Sequence, residues 1–423
     1  LNFSREKKQA SKTSRVQHMN ETSDVIVVGG GPCGSFTALK LAKQGRSVTV
    51  FEEHNQIGVP SHCAGHLSMK GLKQLRLHPL PPEIVENTFY GANFYSPKGN
   101  KFSVHLSQPV TCAVDRAMFD KYISEKAKDA GASYRLNSRV ETLIMKNAFA
   151  EGTVVNQEGT SENRQARLVV DAEGISSRIT REAGLPRPRN LLKGVEAEVE
   201  NVKDVESDTV DVYLGNSYAP GFYAWLIPKR EGRAKVGLAA RTGNPKDLLQ
   251  KLMLKHPAAS RKLRSANILR TMFHPITLGG PTAQACSNGF LAVGDAASQV
   301  KPTTGGGVIF GMTCAQVAAE VASEALDKND FSKEFLDRYQ NRCKELLGFD
   351  MRIMLRMRKT LDALSDERID EAIALCARLS LDKTLQNVKD IDFQGKTLLH
   401  VLRSPRMLTA LAYFFFAYLS GNL

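Results

Sequence analysis

The chain reads as an α/β (α+β) protein: a βαβ-type domain interrupted by an antiparallel-sheet domain and followed by a helical C-terminal region. Three observations predict this. An apolar run at 25–28 leads into Gly29-Gly30-Gly31-Pro32-Cys33-Gly34, a glycine turn that opens a helix. A second glycine-rich run at 294–307, GDAASQVKPTTGGG, follows another apolar run and precedes an apolar stretch that begins at Val308. Between them, 195–240 alternates with the two-residue period of strands.

The elements follow in order. A strand at 24–29, a helix at 32–44 and a strand at 47–51 ending in Glu52-Glu53 make a βαβ start. An acidic residue stands about 20 positions after the glycines, as in a Rossmann-type nucleotide domain. A loop rich in Gly, Pro, His and Cys spans 56–67, and short strands fill 84–110. A helix is expected at 116–130, closed by Gly131, then alternating segments at 140–155 and a buried strand ending in the turn Ala172-Glu173-Gly174. After the strand at 290–293 and the second glycine run comes a helix at 308–326, and from Phe331 onward the chain is almost wholly helical. The expected division is 1–18 as a tail or upstream extension, 19–85 with 111–190 and 281–330 as one discontinuous domain, 86–110 with 191–280 as the β-rich domain, and 331–423 as the helical region.

Length and composition narrow the function. The 423 residues suffice for two or three domains. Seven scattered cysteines form no CxxC pair, which argues against a zinc ribbon or a cysteine-held iron–sulfur cluster, and no metal is expected. The odd cysteine count, with no signal-like apolar segment, points to a reducing cytosol. The net charge of +13 suits nucleic acid, a membrane surface or an acidic partner. Part of that charge sits in 1–18, where Arg5, Lys7, Lys8, Lys12 and Arg15 stand against Glu6 alone. This segment lacks apolar periodicity and reads as disordered. No nucleic-acid partner is expected. No run reaches the ~20 apolar residues a spanning helix needs. The nearest, 407–419, is either a buried helix or a greasy one that seats the protein on a bilayer or lines a lipid tunnel.

Two glycine turns far apart in sequence suggest one long cofactor held at both ends, and FAD is such a cofactor. Gly29, Gly31 and Gly34 would let a pyrophosphate approach the backbone at a helix N-terminus. Glu52 is placed for ribose hydroxyls and disfavours a 2′-phosphate, while Glu53 faces solvent. Asp295 ends a buried strand and needs a partner, which a ribityl hydroxyl supplies. The helix after Gly307 would aim its positive end at the flavin and stabilise its reduced anion.

At this point the chain resembles the p-hydroxybenzoate-hydroxylase-like flavoproteins, and three segments narrow the resemblance to the geranylgeranyl reductase family. Pro220-Gly221-Phe222-Tyr223-Ala224-Trp225-Leu226-Ile227-Pro228 is similar to its Y-x-W-x-F-P signature, with Ile227 in the Phe place. Pro60-Ser61-His62-Cys63-Ala64-Gly65-His66-Leu67-Ser68 is similar to its C-G-G-x-L-S loop, and KPTTGGG is the third segment. The resemblance covers about 24–345, and its pattern looks like the archaeal enzymes that saturate digeranylgeranyl glycerophospholipids. It implies FAD contacts at Cys33, Glu52, Cys63, Ala64, His66, Arg116, Val140, Asp295, Gly307 and Val308. One departure is Glu173, where such flavoproteins usually carry Asp.

The expected activity is FAD-dependent saturation of geranylgeranyl C=C bonds. Tyr223, Trp225 and Ile227 share one strand face, either as sheet core or as a wall that grips an isoprenoid. An isolated alkene is not electrophilic, so hydride addition needs a proton as well, and aromatic faces stabilise the cationic character that develops. Cys63, Tyr223 and Trp225 are the candidate catalytic residues. His62, Cys63 and His66 imitate a metal set without a fourth ligand. Arg352 and Arg356, with Lys359, fall on one helix face, which is either solvated or in contact with a lipid phosphate. The expected partners are a prenylated lipid, an electron donor (ferredoxin, NAD(P)H or reduced deazaflavin) and a membrane surface touched peripherally from the cytoplasm. The rival readings are a flavin-dependent aromatic hydroxylase, a halogenase (disfavoured by Tyr at 223 where W-x-W-x-I-P has Trp), and a non-catalytic or quinone-linked electron-transfer flavoprotein.

Overall fold

The computed structural model describes residues 22–61, 63–386, 392, 394–401 and 404–421, without the side chains of 399–401 and 414–421. The basic segment 1–18 and His62 lie outside the described residues.

Strand Ser23–Val28 runs parallel to Val48–Phe51 on one side and to Thr160–Asp171 on the other. The sheet continues through Ser133–Arg135 at one edge and Phe290–Ala292 and Cys286–Ser287 at the other. Its strands are continuous apolar runs because helices cover them: Val25, Val27, Leu168, Val170 and Leu291 are fully buried. Helix Pro32–Ala42 and helix Val308–Lys328 pack against each other on this sheet, and helix Arg116–Asp129 lies beside the first. Ala315, Ala318, Ala319 and Ala322 supply the close-packing face of the second helix.

The second sheet has seven strands in the order Asn267–Thr277, Leu191–Glu200, Ala234–Ala240, Tyr223–Pro228, Thr209–Leu214, Gly91–Tyr95 and Lys101–His105. All neighbours are antiparallel except Thr209–Leu214 and Gly91–Tyr95. One face packs on helices Pro245–Lys255 and Ala259–Leu263, which the sequence reading of 191–280 as β-rich passes over. The other face looks toward the first sheet. A small third sheet joins His66–Ser68, Thr111–Val114 and Val85–Phe89. The architecture is thus the α/β arrangement of two main sheets with a helical C-terminal region that the sequence predicts.

Helix Lys333–Asp362 has 30 residues, ~45 Å at the α-helical rise. Ser332 caps it by accepting from the Phe335 amide. Tyr339 anchors its first half, donating to the Ala292 carbonyl at 2.8 Å. The second half passes over the gap between the two sheets. Helices Asp366–Arg378, Leu381–Leu385, Gln394–Val401 and Pro405–Gly421 complete the region.

Candidate functional site

One cavity of about 1490 Å³ lies between the two sheets, roofed by the C-terminal helices. Both glycine turns open onto it, as do the 58–66 loop and the aromatic strand.

At one end is the first glycine turn. Each glycine there has a separate reason. A Cβ on Gly34 would lie 2.0 Å from the Gly29 carbonyl oxygen, so helix and strand can meet this closely only without one. Gly31 has nothing within 4 Å of such a Cβ, which leaves its backbone open to a ligand. It is also the N-cap of helix Pro32–Ala42, where unpaired N–H groups favour an anion. Glu52 holds this turn, accepting from the Gly30 amide at 2.7 Å and from the His54 amide at 3.0 Å. Glu53 is exposed and lies 3.7 Å from Arg139. The Val140 carbonyl accepts from Arg178 at the cavity wall. The departure at Glu173 has a local explanation: its longer side chain reaches the Ile179 amide at 2.5 Å and starts the next short helix.

At the other end is the second glycine turn. Asp295 lines the cavity, and among the described residues no hydrogen bond to its carboxylate is seen. Burial raises its pKa, with Arg116 opposing. Gly305, Gly306, Gly307 and Val308 present bare backbone and the N-terminus of helix Val308–Lys328 to the same space. The Cys33 sulfur is wedged between the two turns: a Cβ on Gly294 would lie 2.8 Å from it and one on Gly311 2.5 Å. An open glycine backbone at two helix N-termini and an unpartnered carboxylate between them fit the pyrophosphate, ribityl and flavin portions of FAD.

The 58–66 loop crosses the middle. Cys63 lies beside Arg116, whose guanidinium is bonded twice to Asp120, at 3.1 and 3.0 Å. Burial alone would lower the Arg116 pKa; Asp120 and the Cys63 sulfur hold it above its ordinary value. Gly65 has a φ of +70°, and a Cβ there would strike the Val114 carbonyl at 2.2 Å. The His66 ring is open to the cavity yet walled by protein; burial, then Lys301, push its pKa down to about 4. It is held at 2.7 Å by Thr111.

The aromatic strand forms the facing wall. Tyr223, Trp225 and Ile227 all line the cavity. Tyr223 donates to the Thr304 carbonyl at 2.8 Å, tying this strand to the second glycine turn. Trp225 packs edge-on against Tyr223 at 5.9 Å and donates to Glu196 at 3.0 Å.

The arginines separate. Arg356 lines the cavity, while Arg352 is exposed and is not among the lining residues. Arg358, which sequence reasoning missed, is buried in the wall, 2.7 Å from Asp362 and 5.5 Å from the Phe222 ring centre. It sits between Met357 and Lys359, and an arginine in that setting reads as exposed. Glu196 was missed as well: with Glu198 and Glu200 it alternates through 195–200 as the polar face of an ordinary strand would. From Arg356 the cavity runs on past Leu361, Leu398, Met407 and Leu411, so the apolar helix Pro405–Gly421 contributes to its lining. Among the described residues no helix is long and apolar enough to cross a membrane.

The family described as FAD binding domain matches residues 22–347. Digeranylgeranylglycerophospholipid reductase 2 of Methanopyrus kandleri is 33% identical over 91% of this chain and 97% of its own length. The protein of the same name from Methanothermobacter thermautotrophicus is 34% identical, covering 92% and 98%. Among solved structures, a geranylgeranyl bacteriochlorophyll reductase-like protein from Thermoplasma acidophilum superposes with a TM-score of 0.82 at 26% identity, covering 93% of this chain and 99% of that one. A flavin-dependent brominase aligns with a TM-score of 0.69 at 19% identity, a likeness of fold alone.

Proposed function

Since the chain belongs to the FAD-dependent geranylgeranyl reductase family that includes the digeranylgeranylglycerophospholipid reductases, we propose that it saturates C=C bonds in the geranylgeranyl chains of archaeal membrane-lipid precursors. One observation carries the reading for this chain. The end of the cavity at the two glycine turns and the space beyond Trp225 are a single volume, larger than the ~300–1,000 Å³ of an ordinary ligand pocket. A long isoprenoid and a flavin can therefore meet inside it.

FAD, when bound and reduced, supplies the hydride. The chain's residues do the rest. Gly29, Gly31, Gly34 and Glu52 hold the nucleotide end, and Asp295, Gly307 and Val308 hold the flavin end. Cys33, Ala64, His66, Arg116 and Val140 complete that surface. Tyr223 and Trp225 grip the chain and face the cationic character of the reacting carbon. Cys63, beside Arg116, stands where the two ligands meet. Arg356 takes the phosphate at the mouth, with the exposed Arg352 one turn away offering a more distant charge. Electrons come from a separate donor, and the net charge of +13 suits an acidic ferredoxin over NAD(P)H or a free deazaflavin. The apolar helix Pro405–Gly421 lets the protein rest on the cytoplasmic membrane face while a lipid tail enters.

The test is the product. Anaerobic incubation of dithionite-reduced protein with digeranylgeranylglyceryl phosphate should add two hydrogen atoms per reduced bond, seen by mass spectrometry. An unchanged lipid, together with oxygen insertion into an aromatic compound in air, would favour the hydroxylase instead.

A further inference from the structure

We propose that Glu196 is the acid that delivers the proton in C=C reduction, a role that rests on the reductase reading above. Glu196 pairs with Gly237, and Gly237 pairs with Trp225, so the three form one row across adjacent strands. A Cβ on Gly237 would lie 2.6 Å from the Trp225 ring; its absence lets the indole lie across this position and reach Glu196. The indole N–H donates to Glu196 Oε2 at 3.0 Å. Among the described residues Glu196 Oε1 has no hydrogen-bond partner. The residue lines the cavity and is only 5% exposed.

A buried carboxylate with one unpaired oxygen is costly, whereas the neutral acid is not. Burial raises the Glu196 pKa to about 7; Lys235 and the Trp225 N–H hold it down, Glu86 pushes it up and Arg270 lowers it. These are its charged surroundings. Lys235 bonds Glu86 at 2.6 Å, Lys229 bonds Glu86 at 2.9 Å and also meets Glu198, and Glu198 reaches Arg270 at 2.8 Å. Four other groups along the wall are poorer donors. His66, with a pKa near 4, is an uncharged imidazole at neutral pH with only a weakly acidic N–H, and burial makes the Tyr223 hydroxyl and the Cys33 thiol hold their protons more tightly. Asp211 is committed to Lys262 at 2.7 Å.

The alkene π pair takes the Glu196 proton, so the O–H bond breaks and a C–H bond forms at one carbon. The cationic carbon that results faces Trp225 and is closed by the hydride from reduced flavin, which is oxidised by two electrons. The Glu196 carboxylate, stabilised by Lys235 and the indole N–H, regains a proton from water. One residue, Trp225, thus holds the acid and faces the charge that the acid creates.

Trp225 is the only tryptophan in the chain, which gives a probe independent of turnover. Titrating the purified flavoprotein should move its tryptophan emission through a transition near pH 7, and Glu196→Gln should abolish it. The Gln variant keeps an acceptor for the indole but has no acidic proton. It should retain its FAD and reduce digeranylgeranylglyceryl phosphate ~100-fold or more slowly in a single anaerobic turnover. The wild-type rate should fall as pH rises through about 7, because the protonated acid is the active form. Cys63→Ala should keep that limb in whatever activity remains, whereas Glu196→Gln should lose it. A Gln variant with the wild-type rate and pH profile would overturn the role of Glu196 and leave the reductase reading standing. Wild-type protein that never reduces the lipid would overturn both. Should the variant lose its flavin, the wild-type emission decides, and no transition between about pH 5.5 and 8.5 would overturn the proposal.

Discussion

A Cβ on Gly307 would stand 2.8 Å from the Asp295 carboxylate oxygen. The carboxylate and the bare backbone share one corner of the cavity, and neither leaves room for a bulkier neighbour. Asp295→Ala should therefore weaken FAD retention by about tenfold or more, a loss of the size expected for a hydrogen bond to a charged group. Flavin absorbance per protein after gel filtration reads this directly. Gly307→Ala should act in the same direction by displacing the carboxylate.

Gly34 makes a different point. Its missing Cβ is what allows helix Pro32–Ala42 to touch the strand before it, at 2.0 Å from a backbone oxygen that cannot swing away. Gly34→Ala should cost at least ~2 kcal/mol of stability. Urea unfolding of flavin-free protein should show it, since a pure binding defect would leave the midpoint unmoved.

These two turns were legible in the sequence because their demands are local. A glycine is needed wherever backbone must approach backbone or phosphate, and the residue type records that need. The pairing of Trp225 with Glu196 was not legible. It joins residues 29 positions apart through the register of three strands, with Gly237 as the unmarked space between them. Helix Lys333–Asp362 shows the same limit. Its i, i+4 spacing groups Arg352 with Arg356, but the side that meets the cavity is set by how the helix lies over the gap, which brings Arg356 to the cavity without Arg352 and buries Arg358 against Phe222.

Tyr223 is the tie between the aromatic strand and the second glycine turn. Tyr223→Phe keeps the ring and removes one buried hydrogen bond, worth about 1 kcal/mol. FAD should dissociate roughly five times faster, measured by the recovery of free-flavin fluorescence on dilution.

The Glu196 carboxyl also predicts a pH dependence of stability. Its folded pKa of about 7 lies above the ordinary glutamate value of 4.5. Its contribution is therefore fully present below about 4.5 and is lost as pH rises through about 7. Relative to Glu196→Gln, the wild type should lose roughly 3 kcal/mol between those limits. Paired urea titrations at about pH 5 and pH 8 isolate the difference, because the other groups cancel.

Cys63 lies beside Arg116 without being its main support, since Asp120 holds the guanidinium by two bonds. Cys63→Ala should keep its flavin and lose much of its turnover. Undiminished saturation by that variant would remove Cys63 from the reaction.

The central claim is that flavin and prenyl chain share one cavity, so that electrons pass from one to the other without leaving it. The most direct measurement is anaerobic stopped-flow mixing of the dithionite-reduced protein with digeranylgeranylglyceryl phosphate, following the return of oxidised-flavin absorbance. The account predicts reoxidation by the lipid in the absence of oxygen, one flavin for each double bond lost. A flavin that stays reduced until air is admitted would contradict it.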